Sequence, residues 1–136
     1  NNGIIQDRSI FFDKVFTYIL YDLGNITDEE LEIYEDIWNT LKHQLMYPDI
    51  MIFLEVDTKI LLDRIYKRNR PEEKNITPEY LDLIKNKTEI LYANMLQSGV
   101  SCFRFNWNDP NIHIPDIIHI IKQASQLQQS SWKLSR

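Results

Sequence analysis

Apolar residues recur along this chain in two rhythms, and the change from one to the other marks alternating helices and short strands. Ile4 and Ile5 read as the end of a buried strand that delivers Asp7-Arg8-Ser9 to its C-terminal tip. A helix is predicted from Phe12 to Leu23, and Gly24 stops it. Thr27-Asp28-Glu29-Glu30 is a capping box, with Ile26 and Leu31 as its hydrophobic staple. Behind it Leu31, Tyr34, Trp38, Leu41 and Leu45 fall at helical spacing, giving a helix to about Met46 before Pro48-Asp49 breaks it. Ile50 to Val56 is a nearly unbroken apolar run, as in a parallel strand covered on both faces. Asp57 or Thr58 caps a helix holding Ile60, Leu61, Leu62 and Ile65, and Asn69 to Lys74 is a loop. Thr77 caps the next helix with Pro78 at its first position. Its seam is Leu81, Ile84, Thr88, Leu91 and Met95, a heptad-like stripe fit to pack in a bundle, and Gly99 ends it. Val100 to Phe105 is another strand, Asn106 to Pro110 a turn, and Pro115 to Leu127 a last helix. The pattern predicts an α/β fold: an open parallel sheet with helices on both faces. One domain covers 1–127, and the Gln/Ser-rich stretch 128–136 is a fraying tail that carries an unexplained Trp132.

Composition narrows the classes without choosing one. With 43% hydrophobic and 26% charged residues, the chain is an ordinary globular sequence rather than a disordered one. A net charge of −5 gives no general affinity for polyanions, so no nucleic-acid partner is expected and any phosphate must be met by local arginines. The apolar runs are too short to cross a bilayer, which predicts no membrane partner. Cys102 is the only cysteine, which excludes an internal disulfide framework and fits a reducing, cytoplasmic compartment. Three Asn-x-Thr triplets, at Asn25, Asn75 and Asn86, could accept glycans only in a secreted chain; the plainer reading is that Thr27 and Thr77 are helix N-caps that follow Asn-Ile. His43, His113 and His119 stand too far apart to suggest a metal site, and no metal ligand is assigned.

Two arginine-bearing segments carry the chemistry. One is Asp7-Arg8-Ser9, running on to Asp13. The other is Arg64-Ile65-Tyr66-Lys67-Arg68-Asn69-Arg70, followed by Glu72-Glu73-Lys74. Guanidinium forks bind phosphoryl oxygens in pairs and keep their charge, so arginines leaving a helix into a polar loop suit a lid over phosphate. Alone, Asp7-Arg8 reads as a salt bridge at a strand end, Arg64 and Arg68 as a solvated helix face and Glu72-Glu73-Lys74 as a charged loop; together they point to phosphoryl transfer.

From about Ile4 to Asp109 the order of elements and these motifs resemble the C-terminal part of the deoxynucleoside kinase family. The resemblance implies a P-loop kinase fold and transfer of the γ-phosphate of ATP, with Mg²⁺, to the 5′-hydroxyl of a deoxynucleoside. It implies that Arg8 meets the substrate's 5′ end and the moving phosphoryl group, that Asp7 holds Arg8, and that Asp13 lies near the base. Arg64, Arg68 and Arg70 would close on the ATP phosphates, Glu73 would reach the sugar 3′-hydroxyl, and the turn with Asn108 and Asp109 would pack against adenine. A homodimer through helices is implied as well, with the Leu81 to Met95 stripe as a candidate contact. The sequence departs from the family in two places. Its only glycines are Gly3, Gly24 and Gly99, so it holds no Gly-x-x-x-x-Gly-Lys-Ser/Thr loop, and Asn69 replaces a common lid glycine. The chain is therefore expected to be the back half of a kinase, inactive alone, with most Mg²⁺ ligands elsewhere. The competing readings are a thymidylate-like nucleoside-monophosphate kinase, which would carry extra arginines for its acceptor phosphate, and a non-catalytic helical remnant that dimerises.

Overall fold

The computed structural model describes the backbone of residues 4–134 and the side chains of residues 4–124 and 126; the side chain of Trp132 lies outside the described set. Five helices and two strands follow one another: α1 (Ile10–Asp22), α2 (Asp28–Leu41), β1 (Ile50–Glu55), α3 (Thr58–Arg68), α4 (Pro78–Gln97), β2 (Ser101–Asn106) and α5 (Pro110–Leu134). Short 3-10 turns at Lys42–Gln44 and Pro71–Glu73 follow α2 and α3.

Local chemistry sets most boundaries. The capping box before α2 closes in both directions, with the Glu30 amide donating to Thr27 Oγ1 at 3.2 Å and the Thr27 amide to Glu30 Oε2 at 2.8 Å. Thr27 is repeated in kind by Thr77, whose hydroxyl caps α4 through the Tyr80 amide at 3.2 Å. Gly24 and Gly99 adopt φ of +71° and +82°, which side chains resist, so α1 and α4 end there. The last helix begins at Pro110, earlier than Pro115, because Asp109 Oδ1 accepts from the Asn111 amide at 3.1 Å and a proline suits the first helical position. Its backbone stays helical to Leu134, within the stretch read from sequence as a tail, where no glycine or proline interrupts it.

β1 and β2 pair in parallel, from Ile50 opposite Ser101 to Glu55 opposite Asn106. The paired residues Phe53 and Arg104 face α4: Phe53 meets the Tyr92 ring edge-on, and Arg104 lies over Tyr92 and grips Glu89. On the other face Phe105 meets His113 of α5. The expected parallel pairing with helices on both faces is present. Two expectations fail. Leu54 is 48% exposed, so the far face of β1 is partly open. Ile4 and Ile5 form no strand and are 91% and 80% exposed, because among the described residues no strand offers them a hydrogen-bonding partner.

The core gathers Phe11, Val15 and Ile19 of α1, Phe53 of β1, Leu91 and Met95 of α4, and Val100. The α4 stripe is therefore buried within the chain, with Leu91 and Met95 in this core and Leu81 buried nearby. It is not a free dimer face. Polar links tie the helices at the rim of this core. Lys87 of α4 pairs with Asp22 at 2.6 Å, and Lys14 of α1 with Glu35 of α2 at 3.2 Å. Tyr18 also donates to Glu35; burial and this hydrogen bond push its phenol up to about 12. At the strand pair, Arg104 joins Glu55 of β1 to Glu89 of α4, its Nε donating to Glu55 at 2.6 Å and its Nη1 to Glu89 at 3.0 Å.

Candidate active site

The carboxyl ends of parallel strands are where open α/β sheets hold their ligands. Here β1 ends at Glu55 and passes through Asp57 into α3, while β2 ends at Asn106 and passes through Trp107 to Asp109 into α5. A dense set of hydrogen bonds joins the two exits. The Trp107 amide donates to the Glu55 carbonyl at 2.6 Å, extending the parallel ladder by one step. Asp57 and Asn108 bond reciprocally: the Asp57 amide donates to Asn108 Oδ1 at 2.9 Å, and Asn108 Nδ2 donates to Asp57 Oδ2 at 2.8 Å. Asp57 sits at the N-cap of α3, but its carboxylate makes no capping bond to the helix because it serves Asn108 instead. Its helix-start position gave no hint of that partner. Asn108 and Asp109, both expected against adenine, use their side chains to build the turn: one on Asp57, the other at the start of α5.

The three lid arginines divide. Arg64 and Arg68 share a face of α3, one turn apart. The Arg64 guanidinium does not reach the lid. Its Nη2 donates to the carbonyls of Trp107 and Asn108, at 2.9 and 2.7 Å. Arg68 grips Glu73 with two parallel bonds, Nε to Oε2 at 3.0 Å and Nη2 to Oε1 at 2.6 Å, and Arg70 Nη1 stands 3.9 Å from Oε1. Asn69 separates the two arginines at φ +50°, in the left-handed region, and ends α3. That conformation accounts for the glycine expected here, and asparagine is the next residue type to tolerate it. Beside the clasp, Ile65, Tyr66, Asn69, Arg70, Glu73 and Lys74 line a cleft of about 30 Å³, room for little more than one water.

The upstream motif stands apart from this clasp. Asp7 and Arg8 are exposed, and no ion pair joins them. Arg8 has φ +61° and places its guanidinium over the rings of Phe12 and Phe16, 5.4 and 5.3 Å from their centroids. Two aromatic faces hold the cation where a carboxylate was expected to, leaving its N–H edges open to a ligand. Asp13 lies in the first turn of α1, near the Tyr34 phenol, whose ionisation is opposed by burial first and also by that carboxylate. No hydrogen bond or ion pair links Arg8 or Asp13 to Arg64, Arg68, Arg70 or Glu73.

One family model spans both motifs. Residues 1–126 match the family described as deoxynucleoside kinase. The chain is 33% identical over 110 residues to the deoxyadenosine kinase of Dictyostelium discoideum, a match covering 79% of this chain and 43% of that protein. It is 25% identical over 134 residues to subunit 10 of the NADH dehydrogenase [ubiquinone] 1 alpha subcomplex of Mus musculus, covering 96% of this chain and 38% of that one. Among solved structures, the deoxyadenosine kinase of M. mycoides with bound dATP superposes with a TM-score of 0.75 at 29% identity, over 90% of this chain and 63% of the other. The same enzyme with bound dCTP gives 0.74. The chain thus spans about two fifths of the length of these curated relatives. With the family model covering residues 1–126 of its 136 residues, the chain belongs to the deoxynucleoside kinase family.

Proposed function

We propose that this chain forms the lid and part of the acceptor side of a deoxynucleoside kinase site, where the γ-phosphoryl group of ATP passes to the 5′-hydroxyl of a deoxynucleoside. The observation that carries the reading is the clasp of Arg68 and Arg70 on Glu73. A carboxylate held by a bidentate guanidinium stands in for two phosphoryl oxygens, so the fork already has the geometry that a nucleotide phosphate needs.

ATP, when bound, supplies the phosphoryl group. Arg68 and Arg70 hold its oxygens and balance the charge that builds as the bond to the β-phosphate breaks. Arg8, steadied over Phe12 and Phe16, meets the acceptor's 5′ oxygen and the moving group. Glu73, once displaced by phosphate, is free to accept a hydrogen bond from the sugar. Asp13 lies toward the base, and the turn 106–109 backs the donor's adenine. Among the described residues no group of three His, Cys, Asp or Glu could hold a metal ion, and no role here runs through magnesium.

Steady-state transfer from labelled ATP to a panel of deoxynucleosides, in the full-length protein carrying this chain, tests the reading. Transfer abolished by Arg8→Ala and by Arg68→Ala supports it; a wild type that transfers nothing sinks it. A second reading, a family member that no longer transfers phosphate, is favoured by the likeness to a respiratory-complex subunit whose name denotes no kinase. Nucleotide binding without turnover would support that one.

A further inference from the structure

The family order groups Arg64 with Arg68 and Arg70, yet its surroundings differ from theirs. Arg64 is half-buried, whereas Arg68 and Arg70 are exposed. Its Nη2 binds two consecutive carbonyls, Trp107 at 2.9 Å and Asn108 at 2.7 Å. Successive carbonyls in extended chain point in opposite directions, so both can converge on one cation only if the turn is tightly folded. The same turn is fixed from its other side by the reciprocal Asp57–Asn108 pair and by the Trp107 amide on Glu55. Moving Arg64 to a phosphate would strip two carbonyls of a charged donor and release the turn.

We propose that Arg64 is a positioning residue for the turn 106–109: it binds no phosphate, and holds that turn as a preformed wall for the base of the phosphate donor. The proposal rests on the kinase reading above and departs from the motif's grouping of Arg64 with Arg68 and Arg70. It also divides the lid into two parts. Arg64 belongs to the body of α3 and ties the base wall to it, while Arg70 and Glu73 lie beyond the left-handed Asn69, where the helix has ended. A closing lid then changes the phosphate contacts without disturbing the seat of the base.

The experiment separates base from phosphate. In the full-length protein carrying this chain, Arg64→Met, Arg64→Lys, Asn108→Ala and Arg68→Met are titrated calorimetrically with ATP, adenosine and inorganic tripolyphosphate, and KM for ATP and kcat are measured. Arg64→Met is expected to weaken ATP and adenosine about tenfold, with tripolyphosphate within about twofold of wild type, as the loss of a charged hydrogen-bond clamp implies. KM for ATP should rise while kcat at saturation is largely kept. Arg64→Lys should recover part of the loss, since an ammonium can serve one carbonyl. Arg68→Met should weaken tripolyphosphate and ATP alike and leave adenosine unchanged. Asn108→Ala breaks the clamp from its other side and should repeat the Arg64→Met pattern, which settles the matter if Arg64→Met does not fold. Tripolyphosphate weakened as much as ATP by Arg64→Met, or adenosine and ATP affinities unchanged, overturns the proposal. If wild type transfers phosphate and Arg64→Met matches Arg68→Met, this proposal alone falls. A wild type that binds no ATP overturns both.

Discussion

The Glu73 clasp makes a prediction whose sign runs against intuition: removing one carboxylate should strengthen anion binding and weaken sugar binding together. Arg68 offers Glu73 two bonds of 3.0 and 2.6 Å, and Arg70 stands 3.9 Å away. A phosphate can take these forks only after the carboxylate lets go. The Arg68 side chain is 48% exposed, so solvent screens the pair heavily. A well-oriented exposed pair of this kind holds about 0.5–1 kcal/mol. Glu73→Gln removes the charge that competes with the incoming anion and keeps the shape. Tripolyphosphate should then bind about two- to fivefold tighter, the same energy expressed as an affinity. Isothermal titration at low and high ionic strength reads this directly, and the gain should shrink with added salt. In the same variant KM for the deoxynucleoside should rise, because a neutral amide is a weaker acceptor for the sugar hydroxyl. Unchanged or weaker tripolyphosphate affinity at low salt would show that the clasp does not compete with anions.

Three further outcomes follow from residues in other parts of the fold. Ile19→Ala, at a side chain with 0% exposure, removes three carbons worth about 0.8 kcal/mol each and leaves a cavity, so urea unfolding should show a loss of about 2.5–4 kcal/mol. Ile33→Ala, at 60% exposure, should stay within about 0.5 kcal/mol of wild type, and equal losses at the two sites would refute the assigned core. The Tyr18 phenol is raised in the fold, so its neutral form stabilises the protein fully below the ordinary tyrosine value of 10, and that contribution is lost as pH rises toward about 12. Unfolding curves across that window should fall more steeply for wild type than for Tyr18→Phe. In the full-length protein, Arg8→Ala should lower kcat roughly a thousandfold or more, while Glu73→Ala acts mainly on KM for the nucleoside; equal kcat for Arg8→Ala and wild type would remove Arg8 from the chemistry.

What could be read from sequence was what neighbours along the chain decide. The Thr27 and Thr77 caps, the Gly24 and Gly99 stops and the alternation of helix and strand depend on four or five consecutive residues, and they stand in the structure where the residues place them. Spacing along the chain says less where a distant partner decides. Ile4 and Ile5 look like a strand, but a strand exists only against another, and none lies beside them among the described residues. The stripe from Leu81 to Met95 has the spacing of a bundle seam, and spacing does not say whether α1 or a second molecule covers it; α1 does. Arg64 matches a lid motif by position, and only the fold brings Trp107 and Asn108 to its guanidinium. Asp57 has a helix-capping position and a different partner for the same reason. Arginine roles are the hardest to read, because a long side chain is placed by whichever acceptor lies within its reach.

The parallel pairing of β1 with β2 has a consequence for how the chain reaches this shape. Every rung joins residues 51 positions apart, since Ile50 faces Ser101 and the register holds to Glu55 opposite Asn106. Closing so long a loop costs entropy before any ladder bond forms, and a two-stranded parallel ribbon repays little of it. The intervening helices α3 and α4 span that loop and pack on each other, and α4 also packs on α1, with Leu91 and Met95 sharing one core with Val15 and Ile19. The strand pair whose carboxyl ends frame the candidate site is thus a contact of high contact order, the kind that is slow to form, and the helices packed around it shorten the search for it.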